Sequence, residues 1–324
     1  MIDIMFINLR GALCFTLYLV NTLFWAIPIC FTALLKRLIP IKYFHKFFDI
    51  ILNGCANNWI LANNMNQRLF CKIRWHVFGM DSLKNNGWYL VVSNHQTWVD
   101  ILVLQNIFYH KIPFLKFFLK KELFKVPVIG QAWWALDFPF MERYSRDFLE
   151  KNPHLKGRDL EITKKACEKF KTIPVSVMNF VEGTRFTRKK HEKQQSSFKN
   201  LLKPRAGGIA FALNAMGDYL QSFVDVTIAY PQGAKSFWDF LCGRVTEIRV
   251  YVKAIPVTPE MLGNYFEDDV FRIAFQKWVN NLWLAKDKCI DELLAAPVPD
   301  PALITAKVPC FPELSVSDSA KIME

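Results

Sequence analysis

The chain has 324 residues, 52% of them hydrophobic and 15% aromatic, and 41 Lys and Arg stand against 29 Asp and Glu for a net charge of +12. This length fits one large α/β domain with additions or two domains, and an apolar, basic chain suits an anionic bilayer or a phosphorylated ligand. Eight scattered cysteines without a C-x-x-C pair argue against a zinc or disulfide framework, and without a nucleic-acid-binding signature no nucleic acid partner is expected.

Gly11 to Leu35 carries no charge and is flanked by Arg10 before and Lys36 and Arg37 after. It is long enough to cross a bilayer core, too long for a signal-peptide core, and lacks a clear small-residue cleavage site. Pro28 predicts a kink, so a re-entrant or interfacial hairpin is the alternative to a full span. The stronger positive flank, Lys36, Arg37 and Lys42, predicts that the rest of the chain is cytoplasmic. Ile41 to Leu69 sets Tyr43, Phe44, Phe47 and Phe48 beside Lys42 and Lys46 and predicts an amphipathic helix at headgroup level. Residues 1–69 are thus expected to form a membrane anchor, 70–296 an α/β domain, and 297–324 a loosely attached tail holding five of the 16 prolines.

Strands are expected at Lys72 to Phe78, Trp88 to Val92, Phe138 to Arg143, Pro174 to Phe180, Val224 to Tyr230 and Arg244 to Val252. Helices are expected at Ile101 to Phe108, Asp159 to Lys171, Ile209 to Met216 and Phe266 to Leu294. Their alternation predicts an α/β fold: a mixed, largely parallel central sheet covered by helices, preceded by the membrane-associated helical segment. Lys111 to Lys125 interleaves five lysines with phenylalanines, which reads either as a solvated face or as a basic rim for phosphate or anionic lipid.

The stretch Ser93-Asn94-His95-Gln96-Thr97-Trp98-Val99-Asp100 lies between the second strand and its helix. Strand-to-helix switches are where α/β folds place ligand sites. A His oriented by a carboxylate is a general base for a hydroxyl proton. The same spacing recurs at His76–Asp81 and His154–Asp159, but only His95 has a strand before it and a helix after it. A hydrogen-bonded structural histidine is the alternative. No G-x-S-x-G nucleophile motif is present, so the hydroxyl is assigned to the substrate. Further on, a strand opens into Glu182-Gly183-Thr184-Arg185, a loop that can offer N–H groups and a guanidinium to phosphate, or be an ordinary turn closed by a Glu–Arg pair. A basic run follows at Arg188, Lys189, Lys190 and Lys193, and Arg205-Ala206-Gly207-Gly208 opens the next helix.

Three ordered blocks resemble the glycerolipid acyltransferases of the lysophosphatidic acid type: Asn94 to Asp100, Phe140 to Arg143, and Phe180 to Arg185. Glu182 to His191 is similar to the membrane-bound bacterial subgroup with a Glu-Gly-Thr-Arg-Phe-Thr block. Val181 stands where that family usually has Pro, and Val224 to Ile228 matches its fourth block only loosely. The resemblance implies that His95 is the base, that Asp100 holds its tautomer, and that the acceptor hydroxyl attacks the thioester of acyl-CoA or acyl-carrier protein directly. It implies that Arg143, Gly183, Thr184 and Arg185 lie near the acceptor phosphate, with Glu182 orienting the loop. No cofactor and no metal are expected. The expected partners are a lysophospholipid acceptor, the acyl donor and anionic membrane lipid, and the expected location is the cytoplasmic face of a bacterial inner membrane. The alternatives are transfer to another lysophospholipid or a glycolipid, or a membrane-anchored basic scaffold without catalysis.

Overall fold

The protein is seen in a computed structural model that describes residues 2–39, 41–141, 167, 170 and 173–295. Two long helices lead: α1 (Ile2–Leu38), 37 residues, and α2 (Lys42–Phe70), 29 residues. At the α-helical rise α1 is about 55 Å long, more than the apolar thickness of a bilayer. It is the one helix among the described residues long and apolar enough to cross a membrane. The kink predicted at Pro28 does not break it; α1 runs on to Leu38, and the hairpin forms between α1 and α2 instead.

The two helices pack antiparallel. Asn21 donates to the Trp59 carbonyl at 3.0 Å and to Asn63 Oδ1 at 2.8 Å, Asn66 donates to the Cys14 carbonyl at 3.0 Å, and Lys36 pairs with Asp49. The buried stripe of α1, Gly11, Cys14, Tyr18, Ala26, Ile29, Thr32 and Ala33, is mostly small or polar, whereas Leu13, Leu17, Val20, Phe24, Ile27 and Phe31 are exposed. On α2 the amides Asn63, Asn64, Asn66 and Gln67 are buried while Phe44, Phe47, Ile50, Leu61 and Met65 are exposed. Amides and small side chains are thus buried beside Ile29, Phe48, Leu52 and Ile60, while many large apolar side chains of both helices face outward.

The strands are β1 (Arg74–Phe78), β2 (Tyr89–Ser93), β3 (Leu115–Phe117), β4 (Leu119–Lys120), β5 (Phe140–Met141), β6 (Ser176–Phe180), β7 (Ser222–Ala229) and β8 (Glu247–Pro256). Six form one sheet in the order β1-β8-β7-β2-β6-β3, while β4 and β5 pair separately. All pairings in the large sheet are parallel except β7 with β8. The mixed, largely parallel sheet expected from the sequence is therefore present. The remaining helices are α3 (Val99–Phe108), α4 (Ile129–Ala135), α5 (Arg188–Gln194), α6 (Ala206–Met216), α7 (Phe237–Leu241) and α8 (Asp269–Ala295).

Alternation along the strands separates two cores. Leu90, Val92, Val177 and Phe223 pack with residues of α6 and α8, including Ile209, Phe275 and Trp283. Tyr89, Val91, Met178 and Val226 pack on the other face with α3, α7 and the α1 residues Cys14 and Tyr18. The helical hairpin thus lies on the α3 face, and α6 and α8 lie on the opposite one. A buried ion pair fastens α8 to β7: Lys286 Nζ lies 2.6 Å from Asp225 Oδ1 and also donates to the Val226 carbonyl at 2.6 Å.

The Lys111 to Lys125 run contains β3 and β4. Its lysine–phenylalanine alternation is in part a strand period, and Lys116 sits 4.9 Å over the Phe170 ring. Strands of two or three residues carry too little pattern to stand out. The expected helix at Asp159 to Lys171 lies outside the described residues except for Cys167 and Phe170, both buried. The tail from Pro297 lies outside them entirely.

Candidate active site

β2 ends at Ser93 between β6 and β7, so its following loop emerges at the carboxyl ends of three parallel strands. Asn94 continues the pairing with its side chain. Its Nδ2 donates to the Ile228 carbonyl and its Oδ1 accepts the Ile228 N–H, both at 2.9 Å. The loop is thereby clamped to β7 just before the histidine.

The imidazole and carboxylate predicted to cooperate are in contact: His95 Nδ1 lies 2.9 Å from Asp100 Oδ2. Asp100 is fully buried in the first turn of α3 and accepts the N–H groups of Gln96 at 2.6 Å and Thr97 at 2.9 Å. The Tyr230 hydroxyl donates to its Oδ1 at 2.6 Å. Burial and the Asp100 charge hold the Tyr230 phenol well above its ordinary range, so it stays a donor. A carboxylate ringed by N–H and O–H donors is an acceptor, so the Nδ1 proton belongs to the imidazole. That leaves the Nε2 lone pair for an incoming proton. The residue is 9% exposed, and its ring stacks on Phe180 with centroids 3.8 Å apart and planes 13° apart.

The Glu-Gly-Thr-Arg loop comes to the same place. Glu182, 0% exposed, accepts the His95 N–H at 2.8 Å through one oxygen and the Leu202 N–H at 3.0 Å through the other. The Phe186 N–H in turn donates to the His95 carbonyl at 2.7 Å. Glu182 is therefore a strut between three loops, not the partner of Arg185 in an ordinary turn. Burial pushes its carboxyl up to about 7 from 4.5, against the two N–H bonds that pull it down. Gly183 has φ +67° and a Cβ there would stand 3.1 Å from Arg205 Cδ, so the turn requires glycine. The Thr184 hydroxyl accepts from Lys190 Nζ at 2.6 Å, and the Arg185 guanidinium lies 4.7 Å over the exposed Trp98 ring. Arg143 lies outside the described residues.

The structure thus brings His95, Glu182, Gly183, Thr184 and Arg185 together on two adjoining loops, with Asp100 beside them in the first turn of α3. It adds partners that the sequence reading did not single out. Tyr230 braces Asp100, Phe180 supports the imidazole, and Lys190, assigned only to a basic run, fastens Thr184 and the Arg185 carbonyl. Tyr230 carried no local signal, because what matters is that β7 neighbours β2. Among the described residues no group of three or more His, Cys, Asp or Glu side chains is arranged to hold a metal ion. The dyad can remove a proton from a hydroxyl that approaches Nε2, and the neighbouring cations can hold an anion beside it.

Comparison with known proteins agrees. The Acyltransferase family profile matches residues 74–230. The chain is 25% identical over 304 residues to a probable 1-acyl-sn-glycerol-3-phosphate acyltransferase 5 of Arabidopsis thaliana, covering 88% of this chain and 73% of that protein. It is 24% identical over 258 residues to the 2-acyl-1-lysophosphatidylinositol acyltransferase of Saccharomyces cerevisiae, covering 65% and 62%. It is 27% identical over 214 residues to the 1-acyl-sn-glycerol-3-phosphate acyltransferase delta of Pongo abelii, covering 63% and 52%. The chain spans about half the length of other curated relatives, 52% of the 1-acyl-sn-glycerol-3-phosphate acyltransferase 2 of Brassica oleracea and of that of Arabidopsis thaliana. In fold it resembles the 1-acyl-sn-glycerophosphate acyltransferase PlsC of Thermotoga maritima, with a TM-score of 0.51, 15% identity, and 89% and 98% of the two chains covered.

Proposed function

Because this chain belongs to the acyltransferase family of the lysophosphatidic acid type and is an acyltransferase, we propose that it moves a fatty acyl group from a thioester donor, acyl-CoA or acyl-carrier protein, to the free hydroxyl of a lysophosphatidate-like lysophospholipid. The observation that carries the reading is the His95–Asp100 pair at 2.9 Å, set beside the Glu182 to Arg185 loop. His95 Nε2 takes the acceptor hydroxyl proton as the oxygen attacks the thioester carbonyl. The tetrahedral intermediate collapses, the C–S bond breaks, and the imidazolium returns its proton to the leaving thiolate. Asp100 holds the ring in the tautomer this needs and stabilises its charged form. No acyl-enzyme is required.

Arg185, with Thr184 and the Gly183 backbone, supplies the anion-binding side that a phosphate-bearing acceptor would need. Arg143, from the second block, is assigned the same task. The α1–α2 hairpin, with amides inside and apolar side chains outside, supports a membrane location. Cations stand at both ends of the apolar run, Arg10 and Lys36 with Arg37, and both ends of the hairpin pack against the catalytic unit, which we place on the cytoplasmic face, in a bacterium that of the inner membrane. The test is acyl transfer by membranes holding the full chain, with labelled acyl-CoA and acyl-carrier protein against a panel of lysophospholipids. His95→Ala is run beside it. Transfer to lysophosphatidate that disappears in His95→Ala is the expected result. Failure to acylate any lysophospholipid from either donor, or full activity without the imidazole, refutes the reading.

A further inference from the structure

The catalytic loops border a groove that the chemistry above leaves unassigned. It encloses about 1050 Å³ between the loop leading into α6 and the outer face of α8. Its described lining includes three cations, Lys203, Arg205 and Arg272, and no carboxylate, together with the rings of Phe198, Tyr265 and Phe266. Among the described residues neither the Lys203 ammonium nor the Arg205 guanidinium has a hydrogen-bond or ion-pair partner, while Arg272 meets Asp269 at 2.6 Å in an exposed pair.

We propose that this groove holds the nucleotide end of an acyl-CoA donor, with the pantetheine arm running past Arg205 to His95. The proposal rests on the acyl-transfer function above. Its first support is continuity with the site. The Arg205 side chain packs on Gly183, within 3.1 Å of where a Cβ would stand, and the Arg205 N–H donates to the Val181 carbonyl at 2.9 Å. Glu182 ties the adjoining Leu202 N–H to that of His95. A ligand in the groove therefore starts next to the loop that carries the base.

The second support is the side of the molecule. The apolar hairpin packs on the α3 face of the sheet, whereas the groove lies over α6 and α8 on the opposite face. A lipid acceptor reaches the site from the hairpin side; a groove facing away from it opens to water and suits the water-soluble substrate. The third support is composition. Unpaired cations suit several phosphates, and an exposed ring such as Phe266, 41% exposed, offers a stacking surface for a base. Phosphopantetheine on a carrier protein shares one phosphate and the arm with CoA, but only CoA brings a base and further phosphates. The volume stands at the upper end of ordinary small-ligand sites, as an extended donor needs.

Steady-state kinetics of the full-length enzyme with Lys203→Glu, Arg272→Glu and the double variant provide the test. Each reversal is expected to raise the KM for acyl-CoA about tenfold, while the KM for lysophosphatidate moves less than about twofold. Adenosine 3′,5′-bisphosphate should compete with acyl-CoA in the parent enzyme and bind about tenfold or more weakly in the double variant. A rise in the lysophosphatidate KM instead would give the groove to the acceptor. That outcome, unchanged KM values, or inhibition not competitive with acyl-CoA overturns the proposal. A parent enzyme that uses acyl-carrier protein but no acyl-CoA also overturns it and leaves the acyl-transfer reading standing. A parent inactive with both donors removes both.

Discussion

Glu182 is the most exacting place to perturb the site, because one side chain holds His95 and Leu202 from opposite ends. In Glu182→Gln the shape is kept, but one oxygen becomes an NH₂ facing a backbone N–H, so one of the two bonds is lost and two donors confront each other. A charge-assisted bond to a buried group is worth about 2 kcal/mol, which as lost positioning of His95 corresponds to about a thirtyfold fall in kcat/KM. Stability should follow a different course. The Glu182 carboxyl is raised to about 7 from 4.5, so the folded state holds this proton more tightly than the unfolded chain does. Its contribution is fully present below about 4.5 and is lost as pH rises through about 7, a change of about 3 kcal/mol at most. Glutamine does not titrate. The variant should therefore gain on the parent as pH rises, approaching or passing its stability by about pH 8 while remaining slower. Thermal unfolding in detergent across that range, beside acyl-transfer kinetics, reads both quantities. Unaltered kcat/KM in the variant, or a stability gap that widens with pH, would refute the strut and its titration.

Asp100→Asn should lower kcat/KM by about a thousandfold or more, since an amide cannot satisfy all the donors around it and can turn the imidazole to the wrong tautomer; single-turnover acyl transfer measures it. Tyr230→Phe removes only the hydroxyl that braces Asp100 and should cost about tenfold in kcat/KM with little change in the KM for either substrate. Lys286→Met leaves Asp225 buried without its cation and should destabilise the fold by about 3–5 kcal/mol, while adding Asp225→Leu should recover most of that loss in a thermal melt. Gly183→Ala forces a side chain onto a left-handed backbone against Arg205 and should depress activity more than thermal stability, as read by kinetics and melting of one preparation.

What the sequence determined by itself was local. His95 and Asp100 are close in the chain, one at the end of a strand and the other in the first turn of a helix, so the strand–loop–helix pattern alone brings them together. The apolar run of α1 and the alternation of strands and helices were legible for the same reason: periodicity is a property of neighbouring residues. Tertiary structure decided which distant pieces meet them. Tyr230 lies 130 positions from Asp100, and Glu182 lies 87 from His95; they arrive because β2 pairs with β7 on one side and β6 on the other. Backbone N–H and C=O groups are the same at every residue, so no local pattern names a strand's neighbour. That choice is made by the packing of two cores against both faces of the sheet, and with it the surroundings of the base and the groove beside it.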